Sequence, residues 1–211
     1  VDELPYIHIN FNRRYSKIAN ELKDAIVRNG EPLKIDYNVS VKPLDKNSWQ
    51  LDPEIGGGRN LGEAVHMYDF CSFLTNDSEV ISSEVISFDN QLDYQSYNKE
   101  NFSVIIKYSD GSVANLNYYS CKSSQIPKEL IEVSFGNQTL TLNNFLTLNM
   151  SNDDGVKEIF KNETIDKGHK ESIEFFLENL NSKKNKNFAQ AIKTTKLALY
   201  INDKINNDNS L

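Results

Sequence analysis

The chain has 211 residues, a formal net charge of -7 and an isoelectric point near 5.1, which works against non-specific binding to nucleic acid or anionic membranes, since both need basic patches. Hydrophobic residues at 38% and charged residues at 25% are those of a soluble globular protein, and no apolar run nears the roughly 18 residues of a membrane span. The length predicts one domain over residues 1–211. Cys71 and Cys121 are too few for a disulfide framework or metal knot, and Val1-Asp2-Glu3-Leu4-Pro5 has no secretory pattern, so a reducing cytoplasm is expected.

Residues 6–11 alternate apolar and polar as a short strand does. Tyr15, Ile18, Leu22 and Ile26 then recur at helical spacing up to Val27, with Ser16 as a capping residue and Asn29-Gly30 as the stop. Leu33 to Val41 alternates strictly and predicts a half-buried strand. An irregular segment, Pro43 to Ile55, carries the only tryptophan, Trp49, and runs into Gly56-Gly57-Gly58. A helix follows from about Asn60 to Leu74, placing Glu63, His66 and Asp69 along one side.

From residue 79 the period shifts to two. Strands are expected at Glu79–Phe88, Phe102–Tyr108, Ser112–Tyr119, Leu130–Phe135, Thr139–Leu148 and Val156–Phe160, with Asp110-Gly111 and Gly136-Asn137 as hairpin turns. After Gly168, one helical pattern carries Ile173, Phe176, Leu177 and Leu180. A second carries Phe188, Ile192, Leu197 or Leu199, and Ile201, with the basic Lys183-Lys184-Asn185-Lys186 between them and a polar tail after Asn206. This order predicts an α+β fold: a large, mostly antiparallel open sheet with helices on one face. Because Ile105, Val113, Leu116, Tyr118 and Val133 cannot all point toward the helices, the other face is expected to serve oligomerisation.

Gly56-x-Gly58-x-x-x-Gly62 superficially matches a dinucleotide loop, but its lead-in, Trp49 to Glu54, is polar and broken by Pro53, where an apolar strand is required. Glu63-x-x-His66 matches half of a carboxylate-bridged metal motif. No second copy exists, because neither His8 nor His169 follows a Glu by three residues, so no metal is expected. What remains is acid/base work by His66, tuned by Glu63 or Asp69. Taken as residues alone, a helix histidine bonded within the fold beside solvated carboxylates is the commoner situation, by about two to one.

One set of segments, taken in order, is more specific. Phe11-Asn12-Arg13-Arg14-Tyr15, the Trp49 loop, Gly57 to Asp69, Tyr108-Ser109-Asp110-Gly111-Ser112, Pro127 to Val133 and Gly168-His169-Lys170 together resemble the C-terminal domain of the glucose-fructose oxidoreductase and inositol dehydrogenase family (Gfo/Idh/MocA). The likeness is closest to members linked to polysaccharide biosynthesis and covers essentially the whole chain.

The resemblance implies the substrate-binding half of an NAD(P)-dependent oxidoreductase acting on a sugar or nucleotide-sugar hydroxyl or ketone. It implies NAD or NADP in the complete enzyme, held by an N-terminal Rossmann domain that has no counterpart in this sequence, so the chain alone is expected to be inactive and to hold no cofactor. It also implies a homo-oligomer formed through the open sheet face. By the same resemblance, His66 matches the family histidine at the reacting hydroxyl. The family's Asp four residues earlier is replaced here by Gly62, with Glu63 beside it, so His66 and Glu63 become the catalytic candidates. Arg13, Trp49, Arg59 and Asp69 become the substrate-binding candidates. The alternative is a non-catalytic sugar-binding or dimerisation module with the same fold.

Overall fold

A computed structural model of the chain describes residues 6–27, 30–45, 47–52, 54–87, 100–120, 125–181 and 186–207. Asn29, Phe88, Cys121, residues 183–185 and the tail beyond Asn207 lie outside the described residues. Eight strands form one sheet in the order β2-β3-β4-β1-β5-β6-β7-β8. They are β1 (Lys34–Ser40), β2 (Val80–Ser87), β3 (Phe102–Tyr108), β4 (Val113–Tyr119), β5 (Glu129–Phe135), β6 (Gln138–Asn143), β7 (Thr147–Asn152) and β8 (Gly155–Lys161). The helices are α1 (Lys17–Val27), α2 (Val65–Leu74), α3 (His169–Glu178) and α4 (Lys186–Asn207).

The fold is α+β, and the sheet is mostly antiparallel and open. Among the described residues, one parallel pair joins β1 to β4, in register from Lys34 opposite Val113 to Ser40 opposite Tyr119. β5 flanks the other side of β1, antiparallel, with Ile35 opposite Val133.

Strand alternation decides which side chains reach the core. Ile35, Tyr37 and Val39 of β1, Leu116 and Tyr118 of β4, and Ile131 and Val133 of β5 are fully buried under the helices. There they meet Ile18 and Leu22 of α1, Met67, Phe70 and Leu74 of α2, and Ala198 and Ile201 of α4. Burying each such large apolar side chain contributes about 1.5–3 kcal/mol, the main term holding the layers together.

The opposite face is a polar ladder at its centre. Asn115 Nδ2 donates to Asp36 at 2.9 Å, and Asn117 Nδ2 donates to Asn38 at 3.1 Å. Of the five residues thought unable to share one face, Leu116, Tyr118 and Val133 do face the helices, while Ile105 is exposed on the other side.

Several elements depart from the sequence reading. Residues 6–10 form no strand; they run along α3, with Tyr6 stacked on Phe176 at 6.0 Å between ring centroids and His8 beside Phe175. The stretch expected as one strand from Thr139 to Leu148 is two, because Asn144 and Phe145 take φ of 50° and 55° and turn the chain.

α3 is inverted relative to its expected core face. Ser172 is fully buried, whereas Ile173 and Leu177 are 56% and 57% exposed. Gly168 lets α3 approach the segment Asn12–Tyr15: at φ 77°, a Cβ there would lie 2.4 Å from Ser16 N. Among the described residues, no helix is long and apolar enough to cross a membrane.

Candidate functional site

The helix carrying Glu63, His66 and Asp69 begins one turn earlier than its α-helical part, through a π turn at Asn60–Ala64 that runs directly into α2. Asn60, 2% exposed, secures this turn: its Nδ2 donates to Ala198 O of α4 at 2.9 Å, and its Oδ1 accepts from Tyr68 OH at 2.7 Å. The glycines before it serve the loop's own packing. Ile55, Gly56 and Gly57 N–H groups converge on Asp52 O, Gly57 and Gly58 take φ of 67° and 79°, and a Cβ on Gly56 would lie 2.4 Å from Gln50 Cα. The lead-in is a 3₁₀ turn, Trp49–Leu51, rather than a strand. A dinucleotide phosphate therefore does not fit this glycine stretch as it would a strand-turn-helix cradle.

Three carboxylates occupy three different settings. Asp69, 1% exposed, is held bidentately by Arg14, with Nη2 to Oδ1 at 2.6 Å and Nε to Oδ2 at 2.8 Å. Burial outweighs that pairing and raises its carboxyl to about 6. Glu63 remains partly exposed and meets Arg59 Nη1 at 3.0 Å, Lys128 Nζ at 2.5 Å and the Tyr118 hydroxyl. Burial works to raise it, but the bonds from Lys128 and Tyr118 prevail and hold it below the usual carboxylate range.

Glu129 is the third, and sequence reasoning did not single it out as a site residue. At the head of β5 and fully buried, it receives Arg13 Nε and Nη2, both at 2.8 Å, together with Tyr37 OH and Lys167 Nζ. Burial again opposes ionisation, but the charges and bonds of Arg13 and Lys167 keep it well below its ordinary value. The signal was present in the strand: Glu129 is in phase with the inward residues Ile131, Val133 and Phe135, where a charge requires buried partners.

His66 lies against this cluster. The Phe11 ring meets it edge-on, with centroids 5.4 Å apart. Its pKa is lowered to about 4, first by burial and then by the Arg13 guanidinium, against weaker opposing pulls from Glu129 and Glu63, so the imidazole is neutral at pH 7. Nδ1 is buried and has no hydrogen-bond partner. His66 nevertheless remains part-exposed.

Of the residues named from the sequence, the structure therefore brings Glu63 and Arg59 together and sets Arg13 near His66 through the Glu129 cluster. Arg13 and Asp69 are both buried and paired, while Trp49 is 63% exposed. Arg59 also donates to Lys42 O at 2.7 Å and comes within 4.0 Å of Glu100. Among the described residues, no group of three His, Cys, Asp or Glu side chains could hold a metal ion. A cavity of about 210 Å³, lined by Ser72, Glu79, Lys193 and Thr194 among others, lies between α2, α4 and the start of β2, and none of Glu63, His66, Arg13 or Glu129 lines it.

A family model described as "Oxidoreductase family, C-terminal alpha/beta domain" matches residues 23–135. No curated protein matches the chain. Among solved structures, the chain is similar to an aldose-aldose oxidoreductase from Caulobacter crescentus complexed with glycerol, with a TM-score of 0.79 and 10% identity over 95% of this chain and 62% of that one. It is also similar to a UDP-N-acetylglucosamine 3-dehydrogenase from Acidithiobacillus ferrooxidans, with a TM-score of 0.74 and 14% identity over 96% and 62%. A third is a dehydrogenase from Clostridium difficile, with a TM-score of 0.68 and 17% identity over 93% and 61%. The chain thus spans about three fifths of the length of these structures.

Proposed function

Given that this chain belongs to the Gfo/Idh/MocA oxidoreductase family through its C-terminal α/β domain, we propose that it is the substrate-binding part of an NAD(P)-dependent oxidoreductase acting on a sugar or nucleotide-sugar hydroxyl or ketone. The observation that carries the reading is His66: a neutral, part-exposed imidazole at the seam between the glycine-led helix and the buried Arg13–Glu129 pair. It supports a ring turned toward a ligand oxygen, with Glu63 and Arg59 beside it and Trp49 as an outer wall. Arg13 and Asp69 enter as supports, since each is already saturated by a buried partner.

Nucleotide binding falls to polypeptide outside this chain, in keeping with solved structures about two fifths of whose length lies beyond the match. The same reading makes the 211 residues one substrate-binding and oligomerising domain of a cytoplasmic enzyme, paired through the polar sheet face. A role in polysaccharide biosynthesis is its narrowest form.

The test is a spectrophotometric screen of the protein made from the complete reading frame, following NAD(P)H with aldoses, polyols and nucleotide sugars. Turnover with at least one of them is expected, together with a large loss in His66→Ala. Near-normal turnover in that variant removes the catalytic role. Titration of NAD(H) into the 211-residue chain should give no saturable micromolar binding. One observation favours the second reading, a non-catalytic sugar-binding module: Glu63 is already engaged by Arg59, Lys128 and Tyr118. That reading is supported if the complete protein binds sugar without any nicotinamide chemistry.

A further inference from the structure

The two ring nitrogens of His66 have different surroundings. Nδ1 is sealed from solvent and has no partner. Nε2 makes no hydrogen bond to any described residue and is not among the sealed atoms, so it is the nitrogen a ligand can reach.

A neutral imidazole carries one N–H and one lone pair, and the environment of each nitrogen selects the tautomer. A proton on Nδ1 would be a buried donor without an acceptor, and orphaned buried N–H groups are rarer than under-satisfied acceptors. Placing the lone pair at Nδ1 and the proton at Nε2 therefore costs less. In that state the only site left for a second proton is Nδ1, where it would create a sealed cation with nothing to receive its bond. The charged and titratable groups around the ring do not reverse this. Burial is the largest effect on the ring and keeps it neutral; Arg13 from the 3₁₀ segment and His169 from α3 also disfavour a cation, while Glu129 from β5 and Glu63 from the same helix favour one.

We infer that His66 is locked as the Nε2–H tautomer and acts as a hydrogen-bond donor to a ligand oxygen, either a carbonyl or a hydroxyl, rather than as a base. This rests on the site reading above and narrows it. The group recognised is an electron-rich oxygen, and a preorganised neutral donor stabilises negative charge developing there without itself changing charge.

Long-range ¹H–¹⁵N correlation spectra of the ¹⁵N-labelled 211-residue chain test this directly. The sequence holds three histidines, and His8→Gln and His169→Gln assign the signals. At pH 7 His66 should show a protonated Nε2 and an unprotonated Nδ1, and should keep that pattern down to about pH 5. A protonated Nδ1, a rapidly exchanging mixture like free imidazole, or a midpoint near the ordinary 6.5 overturns the inference.

A second measurement uses the enzyme from the complete reading frame. Glutamine keeps an N–H donor but has no basic nitrogen, so His66→Gln should retain at least about tenfold more turnover than His66→Ala, within the 10²–10³ attributed to one oxyanion donor. Equal loss in both variants overturns the donor role. If the complete protein proves not to be an oxidoreductase, the spectra still decide the tautomer, so failure of the function and failure of this inference are distinguishable.

Discussion

Glu129→Gln is the most discriminating perturbation, because it removes one charge and almost no volume. Glu129 is fully buried and is the common acceptor for Arg13, Tyr37 and Lys167. An amide in its place leaves the Arg13 guanidinium, 6% exposed, facing a neutral oxygen and a misdirected NH₂ group. Breaking a buried, hydrogen-bonded ion pair from one side costs about 3–5 kcal/mol. For a chain of this size each kcal/mol corresponds to roughly 2–4 °C in melting temperature, so a drop of roughly 6–20 °C is expected by circular dichroism.

The pH dependence carries a second signature. Glu129 titrates well below its unfolded value in the folded chain, so its contribution is complete above about pH 4.3 and is lost as pH falls further through the folded pKa. The wild-type chain should therefore lose stability more steeply below pH 4 than the variant does. A melting temperature within 2 °C of wild type, or parallel acid limbs, would refute the cluster's structural role.

Asp69→Asn should act in a different pH window. Because its folded pKa is raised to about 6, folded Asp69 binds protons more readily than unfolded Asp69, and stability falls as pH rises from about 4 to 6, by about 2–3 kcal/mol at most; urea melts of Asp69→Asn across that range should be flatter than wild type. Gly168→Ala forces a Cβ to within 2.4–2.8 Å of the backbone of Asn12, Tyr15 and Ser16 at a positive φ, so a loss of at least about 2 kcal/mol is expected, with hydrogen exchange accelerated in α3. Ile173→Ser, by contrast, should change stability by less than about 0.5 kcal/mol in denaturant melts despite the residue's core-like spacing in sequence, because the side chain is 56% exposed.

Local chemistry made much of the fold legible. Asp110-Gly111 and Gly136-Asn137 mark tight turns, and Gly111 and Gly136 take positive φ as those turns require. Strand alternation in β3, β4 and β5 matches inward burial residue by residue, and in β1 it does so from Lys34 to Val39. What failed depended on partners far away in sequence. Ile7 and Ile9 alternate like a strand, yet residues 6–10 take no strand conformation. The turn at Asn144-Phe145 was hidden because Phe145 is an apolar core residue in a left-handed conformation.

The parallel pairing of β1 with β4 has no local signature at all. At the site, the stretch from Gly56 to Asp69 drew attention through residue type, but whether each polar group faces a ligand or a buried partner depends on Arg14 and on the adjacent Lys128 and Glu129, which come from two other segments. Only Glu129, charged at an inward strand position, carried a warning in its own sequence.

The central position of β1 also has a consequence in time. Its neighbours begin 79 residues later, at Val113 opposite Lys34, and extend to Ser134 on the other side. At roughly 5–20 residues per second, a ribosome needs roughly 4–20 s to supply those neighbours, while Ile35, Tyr37 and Val39 wait without a sheet to join. Such long-range strand pairing is intrinsically slow and open to intermolecular pairing. Nascent chains of this protein should therefore aggregate through β1 when chaperone capacity falls, well before the finished fold comes under any stress.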